Sequence, residues 1–138
     1  VKGNFSSLLN LTKISLPLPF SGIENRRSLV FVKNLVSLIS LVVEHPNADG
    51  EIFLVSDGKD ISTSKLIHML YSASGKNAKL FKFPNSIFKI FLYSIGKNGL
   101  YNRLFKNLQV DISATTEKLG WTPPYSLEEG IYETVNCD

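Results

Sequence analysis

Arg26 and Arg27 stand side by side in NRRSLVFV, and Arg103 lies in LYNRLFKN with Lys106 three residues on. A guanidinium is a fixed planar cation that presents N–H donors in pairs, a geometry suited to an anion such as phosphate. If residues 26–32 are extended, successive side chains alternate, so Arg26 and Arg27 point to opposite sides. Without a ligand, an arginine pair in a polar loop is simply a solvated surface. Other candidates for chemistry are thinner. Tyr93 and Lys97 are four apart and would share a helix face, but Gly96 lies between them, and the plainer reading is a helix end with Tyr93 in the core and Lys97 in solvent. His45 and His68 have no cysteine or acidic partner at ligand spacing, which argues against a metal site. His45 suits the negative pole of a helix and His68 a half-buried helical position. Nothing pairs Asp57, Asp60 or Asp111, and Asp111 reads as a helix cap. Cys137 is the single cysteine, so neither an intrachain disulfide nor a thiolate metal site can be assembled.

The elements that must position the arginines follow from composition and periodicity. The chain has 138 residues, 43% hydrophobic and 20% charged, which describes one folded domain. Its net charge of +3 comes from basic residues scattered along the chain, so nucleic acid is not an expected partner. The apolar runs are too short to span a membrane and no signal peptide is visible. A reducing, cytoplasmic setting is expected, and the missing initiator methionine suggests a fragment.

Leu8, Leu9, Leu11 and Ile14 predict a helix over residues 5–14 with Asn4 as cap. Residues 15–20, SLPLPF, are extended, and Pro17 and Pro19 confine them to an edge strand or a lining loop. SLVFV is β-prone, and residues 34–44 form a largely buried helix ended by His45-Pro46. Residues 52–55, Ile-Phe-Leu-Val, lack alternation, as in a strand buried on both faces of a parallel sheet. Ser62 or Thr63 caps a helix to about Ala73, and KLFKF is a short strand. Residues 84–95 form an amphipathic helix with Ile87, Ile90, Phe91 and Ile95 inward. Asp111 or Ser113 caps a helix to Leu119, Leu119 and Trp121 anchor its end, and Gly120 is a left-handed cap. Ser126 and Glu129 form a capping box for a last helix. Five or six helices against three or four short strands predict a mixed α/β chain. It has too few strands to flank residues 52–55, so most of a parallel sheet is expected outside it.

DISATTEKLGWTPPYSLEEGI, preceded by NRRSLVFVKNLVSLI and GEIFLVSDG, resembles the C-terminal part of extended short-chain dehydrogenase/reductases, in particular the UDP-glucose 4-epimerase-like nucleotide-sugar epimerases and dehydratases. The resemblance covers nearly the whole chain. It implies that residues 1–138 are the substrate-binding C-terminal domain of an NAD-dependent enzyme. NAD and the catalytic Tyr-x-x-x-Lys would belong to an N-terminal Rossmann domain outside this chain, since no Gly-x-x-Gly-x-x-Gly loop is present. Tyr93 and Lys97 are then not the catalytic pair, and the piece alone is inactive. Arg27 matches the family's phosphate-binding arginine before the returning strand. Arg103 matches a second one, with Lys106 as the alternative cation. Asn4 and Phe5 match the Asn-Leu pair that opens the substrate helix, where Asn4 can serve as ligand, cap or both. Leu18, Pro19 and Phe20 match the segment whose backbone meets uracil, with Pro19 or Phe20 in the place of the flanking aromatic. The implied partner is a UDP-sugar or related nucleotide-sugar, with no nucleic acid or membrane. The fragment would self-associate and the full protein would be a homodimer. The alternatives are a reductase of another substrate in the same superfamily, or a non-enzymatic helical module that binds protein or nucleic acid.

Overall fold

The computed structural model describes residues 4–13, 16–94, 96 and 98–137. Among them are α1 (Asn4–Leu11), β1 (Leu18–Ser21), β2 (Arg27–Ser28), α2 (Val32–Glu44), β3 (Asp60–Ile61), α3 (Thr63–Ala73), β4 (Leu80–Lys82), α4 (Asn85–Ser94), α5 (Asn98–Phe105), α6 (Ser113–Leu119) and α7 (Leu127–Asn136). The chain is a helix-rich α/β structure. β1 pairs in parallel with β4, and β2 pairs antiparallel with β3. Pro19 has no N–H to donate, and β1 is accordingly bonded on one side only among the described residues.

The main core is built on α3, whose Leu66, Ile67, Leu70 and Tyr71 form one helical stripe against Leu127 and Ile131 of α7. Leu18 and Phe20 of β1 and Leu104 of α5 join the same cluster. Leu70 is fully buried, and a leucine in such a place stabilises by roughly 1.5–3 kcal/mol. A second cluster joins Leu38 of α2 to Leu119 and Trp121, with Phe53 and Val55 packed against it.

Local rules account for the helix ends. The Ser62 hydroxyl accepts from the Lys65 N–H at 3.2 Å and starts α3. α6 stops at Gly120, whose φ of 62° is the left-handed conformation that glycine adopts without a Cβ penalty. α7 opens with the expected capping box between Ser126 and Glu129. Hydrogen bonds from the Ser126 backbone N–H and then its hydroxyl lower the Glu129 pKa. A carboxylate depressed in the folded state adds stability above its unfolded pKa and loses it as the pH falls through the folded one. Glu129→Gln keeps the geometry of the box but should flatten the acid limb of a melting-temperature profile. An acid limb identical to the parent's would refute this account of the cap.

Several expectations change. Residues 52–55 form no strand, and Ile52 is 91% exposed, because no neighbouring strand is available among the described residues. Strand structure around SLVFV is limited to Arg27–Ser28, since the Phe31 N–H turns to the Asp57 carboxylate at 2.8 Å and α2 already begins at Val32. In α4, Leu92 is buried and Phe88 packs on the main core, whereas Ile87 and Ile90 face outward. The apolar stripe of α4 is therefore rotated from the one expected, and Tyr93 is exposed. His68 is exposed rather than half-buried. Asp111 caps no helix as N-cap residue. Its carboxylate instead accepts from the Ser113 N–H and hydroxyl, which lowers its pKa. Ile14, Ile95 and Lys97 lie outside the described residues, as do the side chains of Asn4 and Phe91.

Candidate functional site

The site is organised where β2 meets the chain leaving α5. The Leu108 N–H donates to the Arg26 carbonyl and the Ser28 N–H to the Leu108 carbonyl, each at 2.8 Å, giving a short parallel bridge between Arg27 and Leu108. This register carries Arg27 to the end of α5, where its Nη1 donates to the Lys106 carbonyl at 3.0 Å. Arg103 is exposed in the last turn of the same helix. Arg26 is exposed and Arg27 half-buried, as alternation in an extended segment requires.

The last carbonyls of a helix have no intrahelical partner. Here buried Asn25 donates through Nδ2 to the Leu104 and Lys106 carbonyls, both at 3.2 Å, while its Oδ1 accepts from the Thr63 N–H at 2.8 Å. The Thr63 hydroxyl adds a 2.7 Å bond to the Leu104 carbonyl. Asn25 thus fastens the arginine segment, the start of α3 and the end of α5 into one unit. Sequence reading missed Asn25, since an asparagine in a polar stretch looks like a loop residue and only burial reveals its three bonds. The positive Arg27 at the negative end of α5 is favourable by itself, and the rest of its fork is uncommitted among the described residues.

The other expected residues are placed as follows. Phe5 is half-buried against the main core. Leu18 and Phe20 are buried in β1 with Pro19 half-buried between them. The Phe20 ring meets Phe88 edge-on at 5.9 Å, and Phe88 continues to Phe105 at 5.4 Å, tying β1, α4 and α5 together. A cleft of about 360 Å³ opens at the ends of β1 and β4, lined by Ser21, Gly22, Lys82, Phe83 and Pro84. Lys82 and Phe83 were not anticipated, because KLFKF reads only as a short strand.

A second polar hub lies apart from the arginines. Asn34 is fully buried and donates to Asp57 Oδ1 at 2.7 Å and to the Tyr125 carbonyl at 2.8 Å, while accepting from the Tyr125 N–H at 2.9 Å. Asp57 therefore has the partner that the sequence did not show, in a structural bond between α2 and the segment before α7. No group of three or more metal-ligating side chains occurs among the described residues, and none of their helices is long and apolar enough to cross a membrane. The sequence contains no glycine-rich phosphate loop.

No family model matches the chain. Its fold is found in solved structures. It covers 36% of dTDP-glucose 4,6-dehydratase from Bacillus anthracis, solved in complex with NAD, with a TM-score of 0.61 over 94% of the present chain at 16% identity. It covers 46% of a nucleoside-diphosphate-sugar epimerase from Staphylococcus aureus, with a TM-score of 0.57 over 93% of the present chain at 17% identity. These likenesses are consistent with the resemblance to part of an extended short-chain dehydrogenase/reductase that the sequence motifs carry. More particularly, the chain is 45% identical over 138 residues to the UDP-glucose 4-epimerase of Vibrio cholerae, and is a relative of that enzyme. The match takes in 99% of this chain and 42% of the epimerase, so the chain spans less than half the length of that relative.

Proposed function

We propose that this chain is the C-terminal, nucleotide-sugar-binding portion of an NAD-dependent epimerase or dehydratase acting on a UDP-sugar. The observation that carries this reading is the placement of Arg27 by Asn25 and the Lys106 carbonyl at the end of α5, the helix that bears Arg103. Arg27 with Arg103, or with Lys106, would grip the diphosphate. Asn4 and Phe5 would stand at the opening of the substrate helix. The backbone of Leu18, Pro19 and Phe20 would meet the base, because the Phe20 ring is already engaged by Phe88. Lys82 and Phe83 in the neighbouring cleft extend the same wall. NAD and the catalytic Tyr-x-x-x-Lys belong to polypeptide outside this chain, which is inactive alone. The full protein works in the cytoplasm as a homodimer, in polysaccharide biosynthesis.

The test is calorimetric titration of the full-length protein with UDP-, dTDP- and GDP-sugars, repeated with Arg27→Ala. A hydrogen-bonded charged contact contributes about 1.5–3 kcal/mol, so UDP-sugar affinity should fall roughly 10- to 100-fold. Arg27→Lys keeps the charge but not the fork and should recover part of the loss. Unchanged affinity in Arg27→Ala would sink the assignment.

A further inference from the structure

The basic residues are spread along the chain, but the acidic ones are not. Residues 61–110 hold eight of the fifteen lysines and arginines and none of the twelve aspartates and glutamates, whereas the rest of the chain is net acidic. The ion pairs of Lys33, Lys59 and Lys118 with glutamates all use lysines outside this stretch. The stretch contains β4, α4 and α5. α4 turns Phe88 and Leu92 inward, yet another of its faces is apolar as well. Ile87 is 54% and Ile90 69% exposed, and a spacing of three makes them neighbours on the helix surface. Phe83 meets Phe88 edge-on at 6.2 Å and Phe81 at 6.4 Å, which brings two exposed rings alongside the helix. Cations accompany this apolar surface. Lys82 is exposed between the two phenylalanines in the chain, and the Lys89 Nζ stands over the Tyr93 and Tyr101 rings at 5.6 and 6.0 Å.

We propose that α4 with the adjoining Phe81 and Phe83 is a surface that rests on an anionic lipid bilayer. Ile87, Ile90 and the two phenylalanine rings enter the boundary between headgroups and acyl chains, while Lys82 and Lys89 meet lipid phosphates. A helix with one apolar exposed face and flanking lysines lies in the plane of such an interface, held by apolar burial and by attraction to anionic lipid together. α4 has ten residues, too few to cross a bilayer, so it lies on the surface. Charge decides among the occupants. A second copy of this chain would bring one basic, acid-free surface against another, which repels. A nucleic acid would suit the lysines but gains little from Ile87 and Ile90, which have no ring on which a base can stack. An anionic bilayer uses both halves of the surface. Lys82 and Phe83 also line the cleft at the ends of β1 and β4, so this contact sets that cleft beside the membrane surface. The inference goes beyond the partners that the resemblance implies, and it does not depend on the nucleotide-sugar reading.

The test is co-sedimentation of the full-length protein with phosphatidylcholine vesicles, plain or containing about 30% phosphatidylglycerol, at low and high salt. Binding to the anionic vesicles should be at least about tenfold tighter than to the neutral ones and should weaken as salt screens the lysines. Ile87→Ser combined with Ile90→Ser should weaken it about tenfold without moving the melting temperature, because both side chains are exposed. Lys89→Glu should weaken it about fivefold or more on anionic vesicles and leave the neutral ones unaffected. Tyr132→Ser, an exposed position on α7 outside the stretch, should leave vesicle binding at the parental level. The emission of Ile90→Trp should shift to the blue on anionic vesicles, as an indole entering an apolar layer does. A full-length protein that ignores anionic vesicles, as it would if its remaining polypeptide covered α4, would overturn the inference. So would binding indifferent to the paired serines, tighter binding of random-sequence RNA than of vesicles, or paired serines that abolish self-association while sparing vesicle binding.

Discussion

Asn34→Asp is expected to destabilise the fold by about 4 kcal/mol at pH 7, because it puts a second carboxylate against a buried one without a cation to balance it. The native amide donates to Asp57 at 2.7 Å and to the Tyr125 carbonyl at 2.8 Å, and a carboxylate can donate to neither. Its volume is almost unchanged, so packing is not at issue. The introduced carboxyl faces another carboxylate with no cation between them, which favours its own protonated form. A carboxyl with a raised folded pKa adds stability below its unfolded pKa and loses it as the pH rises through the folded one. The deficit should therefore shrink on acidification, opposite in sign to the effect at Glu129. For a domain of this size about 4 kcal/mol corresponds to roughly 10–20 °C in melting temperature. A neutral-pH melting point within about 2 °C of the parent, or a deficit that does not shrink at lower pH, would contradict the hub as described.

Trp121→Ala should cost about 3–5 kcal/mol, the usual range for removing a buried indole. Trp121 is buried against Leu38 and Leu119, and its Nε1–H donates to the Ser37 hydroxyl at 3.2 Å. The indole therefore joins α2 to the turn after α6. Trp121→Phe fills most of the space and gives up that one hydrogen bond, so a loss of about 1 kcal/mol is expected. Because Trp121 lies in the second cluster and the arginines border the first, UDP-sugar affinity of the folded full-length variant should stay near that of the parent. Equal losses of stability in the Ala and Phe variants would refute a packing role.

How far the sequence reveals this molecule depends on whether a feature is encoded locally. The capping box at Ser126 and Glu129, the left-handed Gly120 and the start of α3 at Ser62 each need only a few adjacent residues, and all three occur. The orientation of α4 is not local. Several of its positions are apolar, and which of them turn inward is set by Phe20 and Phe105, which reach it from β1 and α5. Residues 52–55 have the composition of a buried strand, yet composition does not supply strands to pair with. In the site, the arginines stand out because few residue types grip phosphates. Asn25 and Asn34 do not, because asparagine is common in loops and its value here comes from partners far along the chain.

Those partners also bear on how the chain reaches its native state. The bonds of Asn25 to the end of α5 span 79 and 81 residues, and those of Asn34 to Tyr125 span 91. Each requires most of the chain to loop back before it forms, and folding slows as such distant contacts come to dominate. Despite its helix content, the chain should fold more slowly than a helical bundle of equal length. The last helix cannot be fixed against α2 until a chain segment near Tyr125 has emerged and returned, so a nascent copy stalled between Lys106 and Tyr125 could complete the Asn25 hub but would leave the Asn34 hub only partly assembled.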